Sequence, residues 1–202
     1  MRCKRIALTL ACLLLLFCAG CAKAEPTVPA EPPGTTPGPG TVTITFDFEK
    51  QSGHASNQFA VWIGDMDGGL VKTLYATKFT AAGGYKNRPD SLAVWVSRAL
   101  GKTDFDAVAG ATPKAGAVSY TWDLTDEDGN TVPAGRYKFL VEGTLRWKNS
   151  VQYTGEIDVG GADAYAQASP VFVFEGTQSQ PALGTDAPER GMISNVTAEY
   201  NS

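Results

Sequence analysis

Short runs in which apolar and polar residues alternate set the strongest limit on how this chain folds. The first run, TVTITFDFE, places Val42, Ile44, Phe46 and Phe48 on one face of an extended strand and mostly threonines on the other. Similar runs rich in β-branched and aromatic residues follow: QFAVWIGD, LVKTLYATKF, SLAVWVSR, AVSYTWDL, RYKFLVEGTL, VQYTGEIDV, PVFVFEG and MISNVTAEY. Clusters of Gly, Pro, Asp and Asn separate these runs and predict turns.

Helical periodicity is nearly absent from residues 41–202, which have the length of one domain with a sizeable core. About eight or nine strands at this spacing predict an all-β fold, an immunoglobulin-like antiparallel β-sandwich. A closed barrel is the second alternative.

The N-terminal segment has the features of an export signal. Arg2, Lys4 and Arg5 precede an apolar run at 6–17 that is short for a membrane span. The following CAGC resembles the lipobox of bacterial lipoproteins, with Cys18 where Leu is usual, and predicts a signal peptide over 1–20 and a lipid on Cys21. The alternative is an ordinary signal peptide cleaved after Ala24.

Residues 21–40 form a predicted Pro-rich linker between the lipid anchor and the domain at 41–202. Six of the 12 prolines fall between 22 and 40, and almost no apolar residue accompanies them. Such a composition cannot bury a core and favours an extended, semi-rigid tether.

Cysteine, histidine and charge counts exclude several classes of function. All four cysteines lie at or before Cys21 and the one histidine is His54, so we expect no disulfide, no thiolate metal site and no metal centre built on His and Cys. Without the signal, 14 basic residues (17 less the three above) oppose 21 acidic ones, a net charge of −7. This surface would repel nucleic acid, so no nucleic-acid partner is expected.

The segment YTWDLTDEDGNTVPAGRYKFLVEG, residues 120–143, is the clearest local signal of fold. It predicts a turn at Asp128-Gly129-Asn130, a second turn at Pro133-Ala134-Gly135, and core or corner positions for Trp122, Val132 and Tyr137. The pattern resembles the immunoglobulin-like module of the flagellar hook-cap protein, which implies a fold and hardly any function.

Two aspartate-rich segments and the tryptophans have a structural interpretation. DMDGG and DEDGN lack the rest of a calcium-binding loop, so hairpin turns are the favoured interpretation. Trp62, Trp95 and Trp122 are predicted in the core, whereas Trp147, at a predicted hairpin bend, is the one expected to be exposed.

Residues 90–157 resemble a bacterial family of predicted periplasmic proteins known as domain of unknown function 2271. In that family a strand with W-x-S-R leads to a D-x-x-[ST]-G-A-T segment, the hairpin described above, and a strand containing V-E. The counterparts here are Trp95, Ser97 and Arg98, then the segment 106–112, the hairpin from Trp122 to Tyr137, and Val141-Glu142. The resemblance implies export from the cytoplasm into a bacterial cell envelope.

D-x-x-[ST]-G-A-[ST] is also the acceptor motif of exported flavoproteins, in which an FMN transferase esterifies the last hydroxyl with the phosphate of FMN. The resemblance therefore implies FMN on Thr112, with small neighbours at Gly110 and Ala111 and with Asp106 orienting the loop or being read by the transferase. Pro113 favours an extended Thr112 on an accessible loop. Ala109 departs from the motif, which has Ser or Thr there. The alternative is a plain turn with an exposed threonine.

Two classes of function follow for this exported, lipid-anchored domain. The first is a redox carrier with FMN on Thr112, which exchanges electrons with a membrane-bound redox protein, and with Arg98, Lys114 and Trp147 as candidate contacts of the flavin. The alternative is a non-catalytic immunoglobulin-like envelope module that binds a protein or a glycan. An independent hydrolase ranks third, because no nucleophile–base pair is visible.

Overall fold

The computed structural model describes residues 40–51, 56–146, 149–173 and 191–202 of the protein. The predictions on the signal peptide, the linker, Cys21, His54 and Trp147 concern residues outside these ranges. The described strands are β1 Thr41–Phe48, β2 Gln58–Gly64, β3 Leu70–Thr77, β4 Ala109–Gly110, β5 Gly116–Trp122, β6 Gly135–Arg146, β7 Asn149–Val159, β8 Ala164–Gln167, β9 Ser169–Val173 and β10 Ile193–Asn201. The described helices are α1 Lys78–Ala81, α2 Ala93–Ala99 and α3 Phe105–Val108, with a 3-10 turn at Gly84–Lys86.

The strands form two sheets, which confirms the all-β sandwich and excludes the barrel. A four-stranded sheet has the order β5-β1-β10-β8, and a six-stranded sheet has the order β4-β3-β2-β6-β7-β9. The strand pairs are antiparallel as predicted, except that the two-residue strand β4 pairs in parallel with β3 through Ala76↔Ala109 and Thr77↔Gly110. The helices between β3 and β4 provide the long crossover that a parallel pair requires.

The main core lies between the two sheets and follows the predicted alternation. Val42, Ile44, Phe46 and Phe48 of β1 are at most 1% exposed. They share one cluster with inward-facing residues of the six-stranded sheet, which include Phe59, Val61, Ile63, Phe139 and Val141. Burying one such side chain is worth about 1.5–3 kcal/mol, so this cluster is the main source of stability of the sandwich.

The helices also cover the outer face of β2 and of the adjoining part of β6. All seven residues of β2 are buried, as its nearly continuous apolar run indicates. A second cluster joins Ala60 and Trp62 of β2 to Leu92, Trp95 and Ala99 around α2. This layer makes β2 a strand with two buried faces.

The run SLAVWVSR was predicted to be a strand, and this prediction is wrong, because residues Ala93–Ala99 are the helix α2. Leu92, Trp95 and Ala99 are spaced by three and four residues, which places them on one helical face against the sheet. The buried carboxylate of Glu142, on β6, accepts hydrogen bonds from the amides of Val94 (3.2 Å) and Trp95 (2.7 Å). These two amides have no partner within a helix, so the tertiary contact completes its first turn.

The predicted turns and core positions around β5 and β6 are confirmed. Trp122 and Val132 are buried, and the half-buried Tyr137 donates its hydroxyl to the Pro133 carbonyl at 2.9 Å. Gly129 has φ +83°, which a glycine adopts without strain. Trp62 and Trp95 are buried as predicted, and the DMDGG segment forms the hairpin turn between β2 and β3.

Candidate functional site

The predicted acceptor loop crosses from one sheet to the other at an open edge of the sandwich. β4 lies at one edge of the six-stranded sheet, and β5 lies at one edge of the four-stranded sheet. Residues 111–115 connect these two edge strands, and β3 approaches β5 beside them. The segment 106–116 is therefore more structured than a single loop, because it begins with three residues of α3 and with β4.

Tyr75, on β3, holds the start of this loop. Its hydroxyl donates a hydrogen bond to the carbonyl oxygen of Ala111 at 2.6 Å. The Tyr75 ring also lies directly against Gly110, where an added Cβ would overlap the ring. Gly110 is thus required by the close approach of an aromatic ring, and the backbone before Thr112 is fixed on two sides.

Tyr75 is itself fixed by a group of aromatic rings at the edge of the core. Its ring centroid lies 4.7 Å from that of Tyr120 on β5 and 5.1 Å from that of Phe59 on β2. Burial raises the pKa of Tyr75 and of Tyr120, and the neighbouring Tyr75 raises that of Tyr120 further. Both phenols therefore stay neutral at physiological pH, and they support the loop through hydrogen bonds and packing.

The residues around the predicted acceptor are small or exposed. Thr112 is half-buried, Ala111 on one side is exposed, and Lys114 is exposed two residues further on. Among the residues that the structure describes, no hydrogen-bond partner occupies the Thr112 hydroxyl. This position fits an ester-linked group, because the oxygen is available and its backbone is anchored.

Ala109, where the motif has Ser or Thr, has a packing role. It lies in β4, pairs with Ala76, and packs against the cluster that includes Trp62. Its side chain therefore contacts the apolar layer beneath the helices. Alanine in place of serine or threonine at position 109 therefore affects the packing of this apolar layer. Ala109 takes no part in the contact between Tyr75 and Ala111.

Asp106 lies on α3, directly before β4 and the loop with Thr112. Its amide donates to Asp104 Oδ1 at 3.1 Å, which caps the start of this helix. The Asp106 side chain is exposed. In the described part of the chain no hydrogen bond joins its carboxylate to residues 110–112, so it remains available to an approaching protein.

Of the other predicted contacts of the flavin, the structure brings only Lys114 to the loop. Arg98 lines a cleft of about 190 Å³ on the outer face of the six-stranded sheet, together with Trp62, Lys138 and Leu140. None of the loop residues 110–114 lines this cleft. Trp147 lies outside the described residues.

The residues that build the site most directly were not identified from the sequence. Tyr75 and Tyr120 belong to strands that are 45 positions apart, and only the facing of β3 and β5 brings them together. Phe79 and Lys78, which follow β3, were interpreted as the end of a strand. The structure places them at the start of α1, which packs against β4.

The described residues hold no group of three or more His, Cys, Asp or Glu side chains placed to bind one metal ion. No helix within the described ranges has the length and apolar character to cross a membrane.

Residues 40–170 match the family of predicted periplasmic proteins that has domain of unknown function 2271 (DUF2271). The chain belongs to this family. The match runs from β1 through β8 into the first residues of β9, including the loop with Thr112, and it confirms the resemblance seen in the sequence. Membership in DUF2271 supports an extracytoplasmic location. Comparisons with curated proteins and with solved structures gave no match.

Proposed function

We propose that this DUF2271 protein is an extracytoplasmic redox carrier that holds FMN as a phosphodiester on Thr112. The observation that supports it best is the anchored loop: Tyr75 fixes the Ala111 carbonyl while the Thr112 oxygen has no partner among the described residues. A transferase needs a hydroxyl that it can reach and a backbone that is held in a fixed position. The loop between β4 and β5 meets both needs.

The attachment step needs a donor that the chain does not contain. Thr112 Oγ1 attacks the phosphorus that bears the riboflavin part of FAD, and the bond from that phosphorus to the bridging oxygen breaks. AMP leaves with that oxygen, and the Oγ1 proton passes to a base of the transferase. The new bond is an ester between Thr112 and the phosphate of FMN, and no electron is transferred in this step.

The chain itself supplies attachment, position and charge. When bound, FMN supplies one- and two-electron redox chemistry. Gly110 and Ala111 keep the approach to Thr112 free of bulk, and Lys114 is an exposed cation near the phosphodiester anion. The neutral Tyr75 and Tyr120 keep the loop in place without adding a charge beside it.

The proposal includes the lipid on Cys21 and the tether over 21–40. Together they would keep the carrier at the membrane, where a membrane-bound redox protein can reach it. Cell fractionation of the full chain and of Cys21→Ser tests this part. We expect the wild-type protein in the membrane fraction and the variant in the soluble extracytoplasmic fraction.

Intact-mass measurement of the exported full chain, expressed with and without an FMN transferase, tests the attachment. We expect a gain equal to FMN less one water, only with the transferase, and in-gel flavin fluorescence of the same band. Thr112→Ala should abolish both signals, and Thr112→Ser should retain them. Thr121→Ala removes an exposed threonine of β5 and should change neither. No gain in the wild-type chain, or a gain that survives Thr112→Ala, contradicts the proposal.

A second candidate function is binding of a glycan or a protein by the outer face of the four-stranded sheet. This face is lined with hydroxyl groups, and Thr45 and Ser119 share a hydrogen bond of 2.9 Å across β1 and β5. Tyr165, on β8 at the far edge of the sheet, is 69% exposed. Sedimentation with purified peptidoglycan tests this candidate, which requires binding that falls in Tyr165→Ala and is independent of Thr112.

A further inference from the structure

The strands β3 and β4 end side by side, which places two neighbouring segments at one edge of the sheet. Their pairing is parallel, with Thr77 opposite Gly110, so their carboxyl ends point the same way. The chain continues from Thr77 into Lys78 and Phe79, and from Gly110 into Ala111 and Thr112. The start of α1 therefore lies next to the predicted acceptor, and α1 packs against β4.

Phe79 is a large aromatic side chain at this edge that stays 43% exposed. The other rings in the helix layer pack on one another: Phe105 stacks on Trp95 at 4.8 Å and meets Tyr85 edge-on at 5.8 Å. The Phe79 ring instead lies against the backbone of Gly84, where an added Cβ would overlap it. The ring is thus held from one side while much of its surface faces solvent.

One cationic side chain lies over this ring, and two more belong to the neighbouring segments. The guanidinium of Arg88 lies 5.4 Å from the centroid of Phe79. Lys78 precedes Phe79 in the chain and is exposed, and so is Lys114 on the loop after Thr112. An exposed ring on a segment with these cations is a surface suited to a planar, electron-poor ring system linked through a phosphate anion.

We infer that Phe79 is the surface against which the isoalloxazine ring of FMN rests, with Lys78 and Lys114 beside the phosphate that joins it to Thr112. This inference rests on the proposed function and adds a residue from outside the acceptor motif. The ribityl chain between phosphate and ring is flexible, so a ring tethered on Thr112 can reach across to the neighbouring segment. Contact with Phe79 would shield one face of the ring from water and restrict its motion.

A tryptophan introduced at the contact position reports on this arrangement, because indole quenches flavin emission on contact whereas phenylalanine does so weakly. The full chain is loaded by the transferase, and the mass gain is confirmed for each variant before its emission is measured. Phe79→Trp should lower the emission per flavin well below that of the wild-type chain. Tyr165→Trp, at the far edge of the other sheet, is the matched control and should leave emission unchanged.

A second measurement uses a variant that lacks the aromatic ring at position 79. Phe79→Leu keeps an apolar side chain of similar size, so the fold is retained, and it should lower the fluorescence anisotropy of the attached flavin because the ring moves more freely. Normal mass gain with equal emission in Phe79→Trp and Tyr165→Trp, and unchanged anisotropy in Phe79→Leu, overturns the inference and leaves the carrier proposal standing. No mass gain in the wild-type chain overturns both.

Discussion

Strand β2 and the adjoining part of β6, in the six-stranded sheet, are buried on both faces, and the two faces are buried by different kinds of contact. The inner face presents Phe59, Val61 and Phe139 to the other sheet in an entirely apolar cluster. The outer face of the same strands presents Gln58, Glu142 and Thr144 to the helices, although all three are buried. One strand pair thus supports an apolar core on one side and, on the other, a layer in which these buried polar groups lie beside the apolar cluster around Trp62 and Trp95.

The polar layer is stable because its groups are paired with one another and with the helices. Thr77 donates to Gln58 Oε1 at 2.7 Å, and Thr80 shares a hydrogen bond of 2.8 Å with Ser91. Thr144 accepts from the amide of Leu92, directly before α2. A buried polar group without a partner costs about 1–3 kcal/mol, so these pairs hold the polar groups in place. Two such bonds join the helices to the sheet: Thr144 to Leu92 before α2, and Thr80 of α1 to Gln58 Oε1 at 3.3 Å. The inner face fixes the sandwich, and the outer face fixes the positions of the helices.

Removal of the Glu142 carboxylate should lower the free energy of unfolding more than the other changes, because this carboxylate joins β6 to the first turn of α2. Glu142→Ala leaves the amides of Val94 and Trp95 unpaired, and we expect it to lower the free energy of unfolding by about 3 kcal/mol or more. Glu142→Gln keeps one acceptor oxygen and should lose less. Urea denaturation followed by tryptophan fluorescence measures both.

The control for this carboxylate is Glu156→Ala on β7. Glu156 is exposed, and its oxygen lies 3.9 Å from Arg136. Such a pair contributes at most about 1 kcal/mol. If Glu142→Ala cost no more than this control, the polar layer would be dispensable and the contrast between the two faces would fail.

The Gly110→Ala substitution tests how rigidly the Tyr75 ring is packed against Gly110 at the edge of the sandwich. The added Cβ overlaps the Tyr75 ring, so we expect a loss of about 1–3 kcal/mol and a weaker hydrogen bond from Tyr75 to Ala111. Gly161→Ala adds a methyl group with no heavy atom within 4 Å and should cost less than about 0.5 kcal/mol. Thermal denaturation compares the two. Equal costs would mean that the ring moves aside freely, and the loop would lose its anchor.

The apolar core between the two sheets was predictable from the sequence because one physical rule governs it. Alternation in β1 selects Val42, Ile44, Phe46 and Phe48, and the structure buries all four. Turn residues such as Gly129 are also local signals, because a positive φ is a property of a single position. The predictions succeeded where a rule depends only on neighbours in the chain.

The helices and the support of the candidate site depend on contacts between distant residues. Helix α2 is short and rich in valine, so its composition favours a strand, and the spacing of Leu92, Trp95 and Ala99 was the one available sign of a helix. Its capping carboxylate belongs to β6, some 50 residues later. The loop with Thr112 was found from its motif, whereas Tyr75 beneath it follows only from the parallel pairing of β3 and β4, which no local pattern predicts.

Alkaline pH should lower the free energy of unfolding through Tyr75 and Tyr120 at this edge of the sandwich. We expect this decrease to be the smallest of the predicted effects. Burial raises the pKa of Tyr75 and Tyr120 above the ordinary 10.0, so the folded chain holds their protons more tightly than the unfolded chain. The stabilisation is complete below about pH 10 and is lost as pH rises further toward the folded pKa. Urea denaturation at a series of pH values from 8 to about 11 should show a constant free energy of unfolding and then a fall. Tyr120→Phe should make this fall shallower, whereas Thr121→Ala on the same strand should leave it as in the wild-type chain. If the free energy of unfolding fell identically with pH in both variants, the tyrosine pair would not be what stabilises this edge.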